Sequence, residues 1–277
     1  MKVDYHPHIS LAETRNIIQS FRKLFSYDLG VYSIANLQHL LSDYIYTKGI
    51  LLPDVLISRM IDYPEAFDDL LHCLELPDSE MFRNPEAWIL LQTKILPVLL
   101  LEGDVPKIWF PSCSTGEELF SLVILAIEGG FRDQIELMAS SISLQRIKEA
   151  ERGLFKGNSL EISRENYLRS GGKIELEHYI ERIDRVIVRK MYVRENINFS
   201  LQGNIPEKKV DAVDLIVFKN RLIYYSPEVR IRVLQNLIDS IRSGGYLMLG
   251  YKEIIKDEDL LSRVRLVYED EKIYQVI

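Results

Sequence analysis

The feature that most constrains the fold is the stretch of residues 107–126, where an apolar run leads through small residues into apolar positions at helical spacing. This pattern predicts a strand, a tight loop and a helix. In an open α/β sheet, the loop at the carboxyl end of such a strand is where a nucleotide-like ligand lies. Ser112, Ser114 and Gly116 lack bulky side chains, so the loop backbone can come close to a ligand.

Two carboxylates, Glu117 and Glu118, follow at the start of the predicted helix. They would repel a pyrophosphate, and the loop has neither the Walker lysine nor the pattern G-x-G-x-x-G. The pair suits a neutral or cationic ligand, and S-adenosylmethionine, with its sulfonium and ammonium groups, fits that description. A structural interpretation is equally open, because carboxylates also stabilise a helix N-terminus through its dipole.

The composition limits the class of protein. The chain has 277 residues, 47% of them hydrophobic and 27% charged, which is ordinary for a soluble globular protein of one large or two modest domains. A net charge of −7 argues against broad binding to nucleic-acid backbones. Cys73 and Cys113 lack partners at zinc-ligand spacing, and His6 and His8 are expected in a solvated tail. Without a signal-like or membrane-spanning stretch, we expect a cytoplasmic protein with no membrane insertion.

The amino-terminal part differs in pattern from the rest of the chain. Residues 1–75 carry apolar side chains at helical spacing without strand-like alternation, which predicts a small all-helical domain. Residues 76–103 are expected to form a linker and a connecting helix. Within the loop at 77–85, Arg83 is the charged group able to fork onto a carboxylate.

From residue 104 to residue 277, strands and helices alternate, which predicts an α/β domain. Strands are expected at residues 108–111, 135–141, 198–201, 213–218 and 246–250, and helices at about 117–128, 144–153 and 228–243. Residues 154–196 are polar and predict an inserted subdomain with a helix and short strands. The tail at 264–277 predicts an antiparallel hairpin, which favours a methyltransferase type of sheet over the all-parallel dinucleotide fold.

Four segments resemble, in the right order, motifs of the CheR-type chemotaxis receptor methyltransferases. Residues 81–86 resemble F-F-R-(D/N)-P-E, residues 114–121 S-T-G-E-E-P-Y-S, residues 214–225 D-L-I-F-C-R-N-V-L-I-Y-F, and residues 244–250 P-G-G-Y-L-F-L-G. The resemblance covers nearly the whole chain. It implies a class I methyltransferase fold, which is Rossmann-like with a seven-stranded sheet and an antiparallel C-terminal hairpin, preceded by a small all-α domain.

The resemblance also implies a reaction. S-adenosyl-L-methionine is the methyl donor of that family and S-adenosyl-L-homocysteine its product, and the usual reaction makes a glutamate γ-methyl ester on a receptor in chemotaxis signalling. A carboxylate is already ionised at neutral pH and needs no general base. The protein therefore helps mainly by placing the reactants and removing water around them.

Roles for individual residues follow from the same resemblance. It assigns Arg83 and Tyr224 to catalysis, Arg83 at the carboxylate of donor or substrate and Tyr224 at the reacting centre. For Tyr224, a core position at an aromatic-rich strand end is the alternative. The donor contacts that it implies are Ser79, Arg83, Glu118 at the ammonium, Ser141, Asn204 and Ile205 on the adenine side, Phe218 and Lys219.

The sequence departs from the family pattern at some of these positions. Ser141 stands where the family has an aspartate that grips the ribose hydroxyls, which removes a charge-assisted pair worth about 1–2 kcal/mol. Lys219 replaces an arginine and Ser79 a threonine. Residues 33–44, which match the family's arginine-rich receptor-binding helix, contain no Lys or Arg. We therefore expect a protein substrate with acceptor glutamates other than a standard chemoreceptor.

Three functions stay open at this point. The working prediction is an S-adenosylmethionine-dependent protein carboxyl O-methyltransferase, supported by Glu118, Arg83 and Tyr224. Ser141 and Lys219 favour a diverged, non-catalytic homologue that acts as a regulatory or scaffold binding module. Methylation of a small acid is a third, weaker interpretation.

Overall fold

The structure is a computed structural model that describes residues 9–50, 52–75, 80–155, 157–184, 186–206 and 212–277. The predicted donor contact Ser79, like His6 and His8, lies outside these residues. No helix in the described ranges combines the length and the apolar character needed to cross a membrane.

Helices make up most of the described amino-terminal part of the chain. They are α1 (Leu11–Phe25), α2 (Ile34–Thr47), α3 (Pro53–Asp62) and α4 (Pro64–Leu74), followed by α5 (Pro85–Leu90), a π-helical turn (Leu91–Ile95) and α6 (Leu96–Leu101). Ser10 begins α1 with a capping box, in which its hydroxyl accepts from the Glu13 N–H and the Glu13 carboxylate accepts from the Ser10 N–H. Pro64 occupies the first turn of α4, where a missing N–H costs no hydrogen bond.

The remainder of the chain alternates between strands and helices. The strands are β1 (Lys107–Pro111), β2 (Glu136–Ser141), β3 (Leu154–Phe155), β4 (Ile180–Ile183), β5 (Val186–Arg189), β6 (Ile197–Leu201), β7 (Val213–Phe218), β8 (Ile241–Leu249), β9 (Val264–Tyr268) and β10 (Ile273–Val276). The helices are α7 (Glu117–Gly129), α8 (Leu144–Glu151), α9 (Leu160–Arg169), α10 (Met191–Arg194), α11 (Pro227–Ser240) and α12 (Glu258–Leu261).

Within the described residues, the main sheet has seven strands in the order β6–β2–β1–β7–β8–β10–β9. The strands from β6 to β8 run parallel, and β10 is antiparallel to both of its neighbours. The predicted fold class, a seven-stranded methyltransferase type of sheet with an antiparallel C-terminal hairpin, is confirmed.

The polar stretch between β2 and β6 forms a second, antiparallel sheet in the order β3–β5–β4, together with α9. Arg189 at the end of β5 reaches from this small sheet to the loop after β1. The division of the chain into domains at residues 1–75, 76–103 and 104–277, with an insertion at 154–196, stays a prediction.

The predicted end of the helix at residues 228–243 is wrong, and so is the start of the next strand. Helix α11 ends at Ser240, and β8 already begins at Ile241, which pairs with Val213. The register between β7 and β8 then shifts, and Gly244 lies at φ 84° within this irregular part of the strand. Gly244 and Gly245, which directly follow the predicted helix and would suit a helix C-cap, lie instead in this strand irregularity.

Successive side chains along the strands point to opposite faces of the sheet and pack into two different apolar clusters. On β7, Ile216 and Phe218 join α1, α2, α4 and α11, whereas Leu215 and Val217 join α5, α6 and α7. The amino-terminal helices thus share a core with one face of the sheet.

Backbone hydrogen bonds fasten the amino-terminal helices to the carboxyl edge of this sheet. The Ser33 N–H donates to the Tyr224 carbonyl at 2.8 Å, and the Ser226 N–H donates to the Val31 carbonyl at 3.0 Å. These contacts place the helices over the edge where ligands bind in open α/β sheets.

Candidate functional site

The loop after β1 has the tight geometry that the sequence predicts. Ser112, Ser114 and Gly116 all lie at positive φ, at 59°, 51° and 87°. A Cβ at Gly116 would come within 2.6 Å of the Phe120 ring, so a larger residue is excluded there. Non-glycine residues held in this region are uncommon and cluster at functional sites.

The two carboxylates at the start of α7, Glu117 and Glu118, have different partners. Glu117 is fully buried, accepts from the Thr115 hydroxyl at 2.6 Å and lies 3.5 Å from the Arg189 guanidinium. Glu118 points elsewhere, and its carboxylate lies 3.1 Å from the Lys219 ammonium. Glu117 therefore has a structural role, and Glu118 belongs to the candidate site.

Lys219 lies between the Glu118 carboxylate and the backbone of Arg83. The Lys219 side chain is 1% exposed, and its ammonium donates to the Arg83 carbonyl at 2.9 Å and lies 4.9 Å from the centre of the Trp88 ring. The Arg83 guanidinium is 3.6 Å from Glu80 and 37% exposed. An anion with a cation beside it complements the ammonium and carboxylate of a zwitterionic amino acid, such as the methionine end of S-adenosylmethionine.

The loop after β7 is organised by a buried carboxylate that sequence reasoning missed. Glu253 accepts hydrogen bonds from the N–H groups of Asn220, Leu222 and Gly250 at 2.7, 2.7 and 2.8 Å. Burial raises its pKa, and the three hydrogen bonds oppose that effect. The signal that could have identified it is an acidic residue three positions after Gly250, the glycine that follows a buried strand.

A second missed carboxylate, Glu75, lies directly after α4. The hydroxyl of Ser141, at the end of β2, donates to the Glu75 carboxylate, and both side chains are buried. Burial raises the pKa of Glu75 to about 7, against the hydrogen bond from Ser141 and the positive charges of Arg221 and Arg146. Nothing in the sequence near Glu75 signals this contact, because it depends on how α4 packs against the sheet.

Glu75 and Tyr224 line the same small cavity. Tyr224 lies in a 3₁₀ turn at Leu222–Tyr224, and the cavity has a volume of about 20 Å³. Its lining residues are Tyr32, Leu74, Glu75, Ser112, Ile142, Arg221, Tyr224 and Tyr225. That volume holds one water molecule, so a nucleoside can enter only if lining side chains move.

The remaining predicted donor contacts lie around this cavity and in the core behind it. The Asn204 amide donates to the Asp28 carbonyl at 2.5 Å, and the Asn204 carbonyl accepts from the Tyr225 hydroxyl at 3.4 Å. Ile205 is half-buried against the apolar cluster that contains the buried Phe218. The roles of these residues toward a ligand stay predictions.

The pKa of Glu75 predicts a pH dependence of stability. A carboxyl group whose pKa is raised on folding from 4.5 to about 7 destabilises the folded state as the pH rises through that interval. Between pH 4.5 and pH 8, Glu75→Gln should therefore gain about 3 kcal/mol of unfolding free energy relative to the native chain. Urea denaturation at a series of pH values measures this difference. Plots of unfolding free energy against pH that run parallel for the two proteins would contradict it.

Comparison with known proteins adds the following findings. The family model described as "CheR methyltransferase, SAM binding domain" matches residues 77–267. The Cher3 protein of Pseudomonas putida is 26% identical over 263 residues, which cover 95% of this chain and 96% of that protein. A chemotaxis protein methyltransferase of Listeria innocua is 25% identical over 229 residues, 82% of this chain and 84% of the relative. Chemotaxis protein methyltransferase 1 of Vibrio cholerae is 27% identical over 215 residues, 73% of each chain.

Proposed function

This chain belongs to the CheR methyltransferase family, and from that premise we propose that it methylates the carboxylate of a glutamate on a protein substrate. S-adenosylmethionine is the cofactor. When bound, it supplies an electrophilic methyl group on a sulfonium. We propose that the reaction takes place in the cytoplasm.

The donor end of the proposal is supported by the fixed charges described above. Glu118 would hold the ammonium of the donor, and Lys219 and Arg83 would hold its carboxylate. The 3.1 Å ion pair between Glu118 and Lys219 keeps these charges in position before a ligand arrives, because neither side chain can turn freely into solvent. Ser112 and Gly116 bring the loop backbone close to the same point.

A groove of about 520 Å³, beside the turn that contains Tyr224, is the observation that supports a protein as the methyl acceptor. Its walls include the exposed apolar side chains Ile223, Ile231 and Ile254, and Arg230, Lys252, Lys256, Glu253 and Asp257 also line it. Glu253 is buried on backbone amides, so the accessible charge of the groove is mainly positive. An apolar surface with cations at its edge suits a protein segment that carries carboxylates.

The partner in this proposal is not a standard chemoreceptor. Helix α2 corresponds to the helix that the resemblance assigns to receptor binding. The side chains that α2 exposes, such as Ile34 and His39, include no Lys or Arg in residues 33–44. An acidic receptor helix would find no opposite charge there.

The methyl transfer requires that donor and acceptor are held in position and that water is removed around them. The acceptor carboxylate is ionised at neutral pH, so no residue has to remove a proton. Tyr224 lines the cavity, and its chain neighbours Leu222 and Ile223 line the groove. Its ring would exclude water from the reacting centre, and its hydroxyl would contact the reacting groups there. Without water around the two ions, their attraction and reactivity increase.

The experiment that tests the proposal measures base-labile methyl transfer. Proteins from the source cells, incubated with the native chain and S-adenosylmethionine labelled in its methyl group, should acquire label that mild base releases as methanol, as methyl esters do. We expect Tyr224→Phe to lower the rate constant about 10- to 100-fold, while binding of S-adenosylhomocysteine stays within about threefold, since Tyr224 acts at the reacting centre.

Tyr63→Phe is the matched control. Tyr63 lies between α3 and α4, is 57% exposed, and lines neither the groove nor the cavity. Its rate should equal that of the native chain. Label that resists base would exclude a carboxyl ester. Equal rates for Tyr224→Phe and the native chain would remove Tyr224 from the reacting centre.

A second candidate is a non-catalytic binding module. The cavity at the sheet edge, about 20 Å³, is too small for a nucleoside, which favours this function. Lys219 also pairs with Glu118, so that carboxylate has a counter-charge without a donor ammonium. Titration with S-adenosylhomocysteine separates the two functions. Micromolar binding supports the enzyme, and absence of binding supports the module.

A further inference from the structure

Glu75 places a carboxylate almost where an aspartate at position 141 would place one. The Ser141 hydroxyl donates directly to the Glu75 carboxylate, so the two groups are separated by a single hydrogen bond. An aspartate extends from the same Cβ by one carboxyl group in the same direction. The carboxyl group that is missing from the end of β2 is therefore supplied at nearly the same place by Glu75, the residue after α4.

The position of Glu75 is fixed by contacts between α4 and α8. The Asp68 carboxylate accepts from the N–H groups of Leu144 and Gln145 at 2.8 and 3.0 Å, at the start of α8. The Arg146 guanidinium donates to the His72 carbonyl at 2.8 Å. These bonds hold the last turn of α4 against the sheet, so the Glu75 carboxylate is a built feature of the site.

One oxygen of this carboxylate is ready for a further donor. Oε2 accepts from Ser141, whereas Oε1 is buried and has no hydrogen-bond partner among the described residues. A buried acceptor without a partner is costly, and a ligand hydroxyl would satisfy it. Ser112 and Tyr224 line the same cavity, so a ligand on the loop after β1 would present its sugar to this oxygen.

We propose that Glu75 binds the ribose hydroxyls of the methyl donor, in place of the aspartate that Ser141 replaces. Vicinal hydroxyls are donors, and an acidic residue at this edge of the sheet is the group that accepts from them. The donor site then draws its ribose contact from the amino-terminal helices. This inference rests on the donor site of the proposed function.

The test compares four variants in calorimetric titrations with S-adenosylhomocysteine and with its 2′-deoxy analogue. Glu75→Gln should bind S-adenosylhomocysteine about 10- to 100-fold more weakly and lose the preference for it over the analogue. Ser141→Asp alone should bind about tenfold more weakly, since it sets a second carboxylate against Glu75. Together, Glu75→Gln and Ser141→Asp should restore the affinity to within about threefold of the native chain.

Glu65→Gln, on an exposed position of the same helix α4, is the control and should bind like the native chain. Glu75→Gln that binds as tightly as the native chain, or more tightly, overturns the inference, and tighter binding would identify Glu75 as a plug in the donor site. The double variant failing to recover affinity also overturns it. Binding lost in every variant and in the native chain overturns the donor site itself. Normal binding without methyl transfer would contradict only the proposed reaction.

Discussion

Replacing Glu118 by glutamine should weaken binding of S-adenosylhomocysteine about 30- to 100-fold and lower the free energy of unfolding by about 3 kcal/mol. The Lys219 ammonium is 1% exposed and lies 3.1 Å from the Glu118 carboxylate. Without that carboxylate it keeps the Arg83 carbonyl and the Trp88 ring but loses its counter-charge. Titration calorimetry and urea denaturation measure the two effects.

Two further variants separate the binding effect from the stability effect. Adding Lys219→Met to Glu118→Gln removes the unpaired buried charge, so it should recover most of the stability and none of the affinity. Glu86→Gln is the surface control, since Glu86 and its partner Arg169 are 60% and 63% exposed. Affinity within threefold of the native value for Glu118→Gln would contradict a contact between Glu118 and the donor ammonium.

Replacing Arg189 by methionine should cost about 3–5 kcal/mol of unfolding free energy, the largest loss of stability that we expect from a single charge. Arg189 is fully buried between the Phe120 and Phe155 rings, at 4.4 and 5.2 Å from their centres, and pairs with Glu117. It also donates to the Thr115 carbonyl at 3.2 Å, on the loop after β1. Its loss leaves Glu117 buried without a counter-charge. Urea denaturation measures the cost.

The origin of that cost can be tested with a second substitution. Glu117→Gln in the Arg189→Met background should recover part of the stability, because the buried charge is then gone. Arg182→Met is the control, since Arg182 is exposed on β4 of the same small sheet. A loss below 1 kcal/mol for Arg189→Met would show that the small sheet is held by apolar packing alone.

Local pattern was sufficient to predict much of the fold and the loop on which the candidate site is built. The run from β1 through the loop into α7 combines strand, small-residue and helical signals within twenty positions, and each signal agrees with the others. Glu118 and Lys219 form an ion pair and Lys219 contacts the Arg83 backbone, so three residues that the resemblance names are neighbours in the structure. Their roles toward the donor stay predictions.

What could not be predicted depends on packing between distant parts of the chain. Glu75 and Ser141 are 66 positions apart, and their contact exists because Asp68 and His72 dock α4 on α8. The end of α11 was missed for a related reason, since pairing of Ile241 with Val213 outweighs the helical pattern of residues 241–243. In both cases tertiary contacts decide between local alternatives of similar energy.

Helices α1, α2 and α4 share an apolar cluster with α11 and one face of the sheet, so we expect these elements to unfold together as one cooperative unit. Glu75 lies on the helical side of that unit, and Ser112 and Ser141 lie on the sheet side. A nucleoside held by both sides adds its binding energy to the cohesion of the whole unit. The methyl donor would then be a folding ligand as well as a reactant, and cellular donor concentration would set how long the chain survives proteolysis.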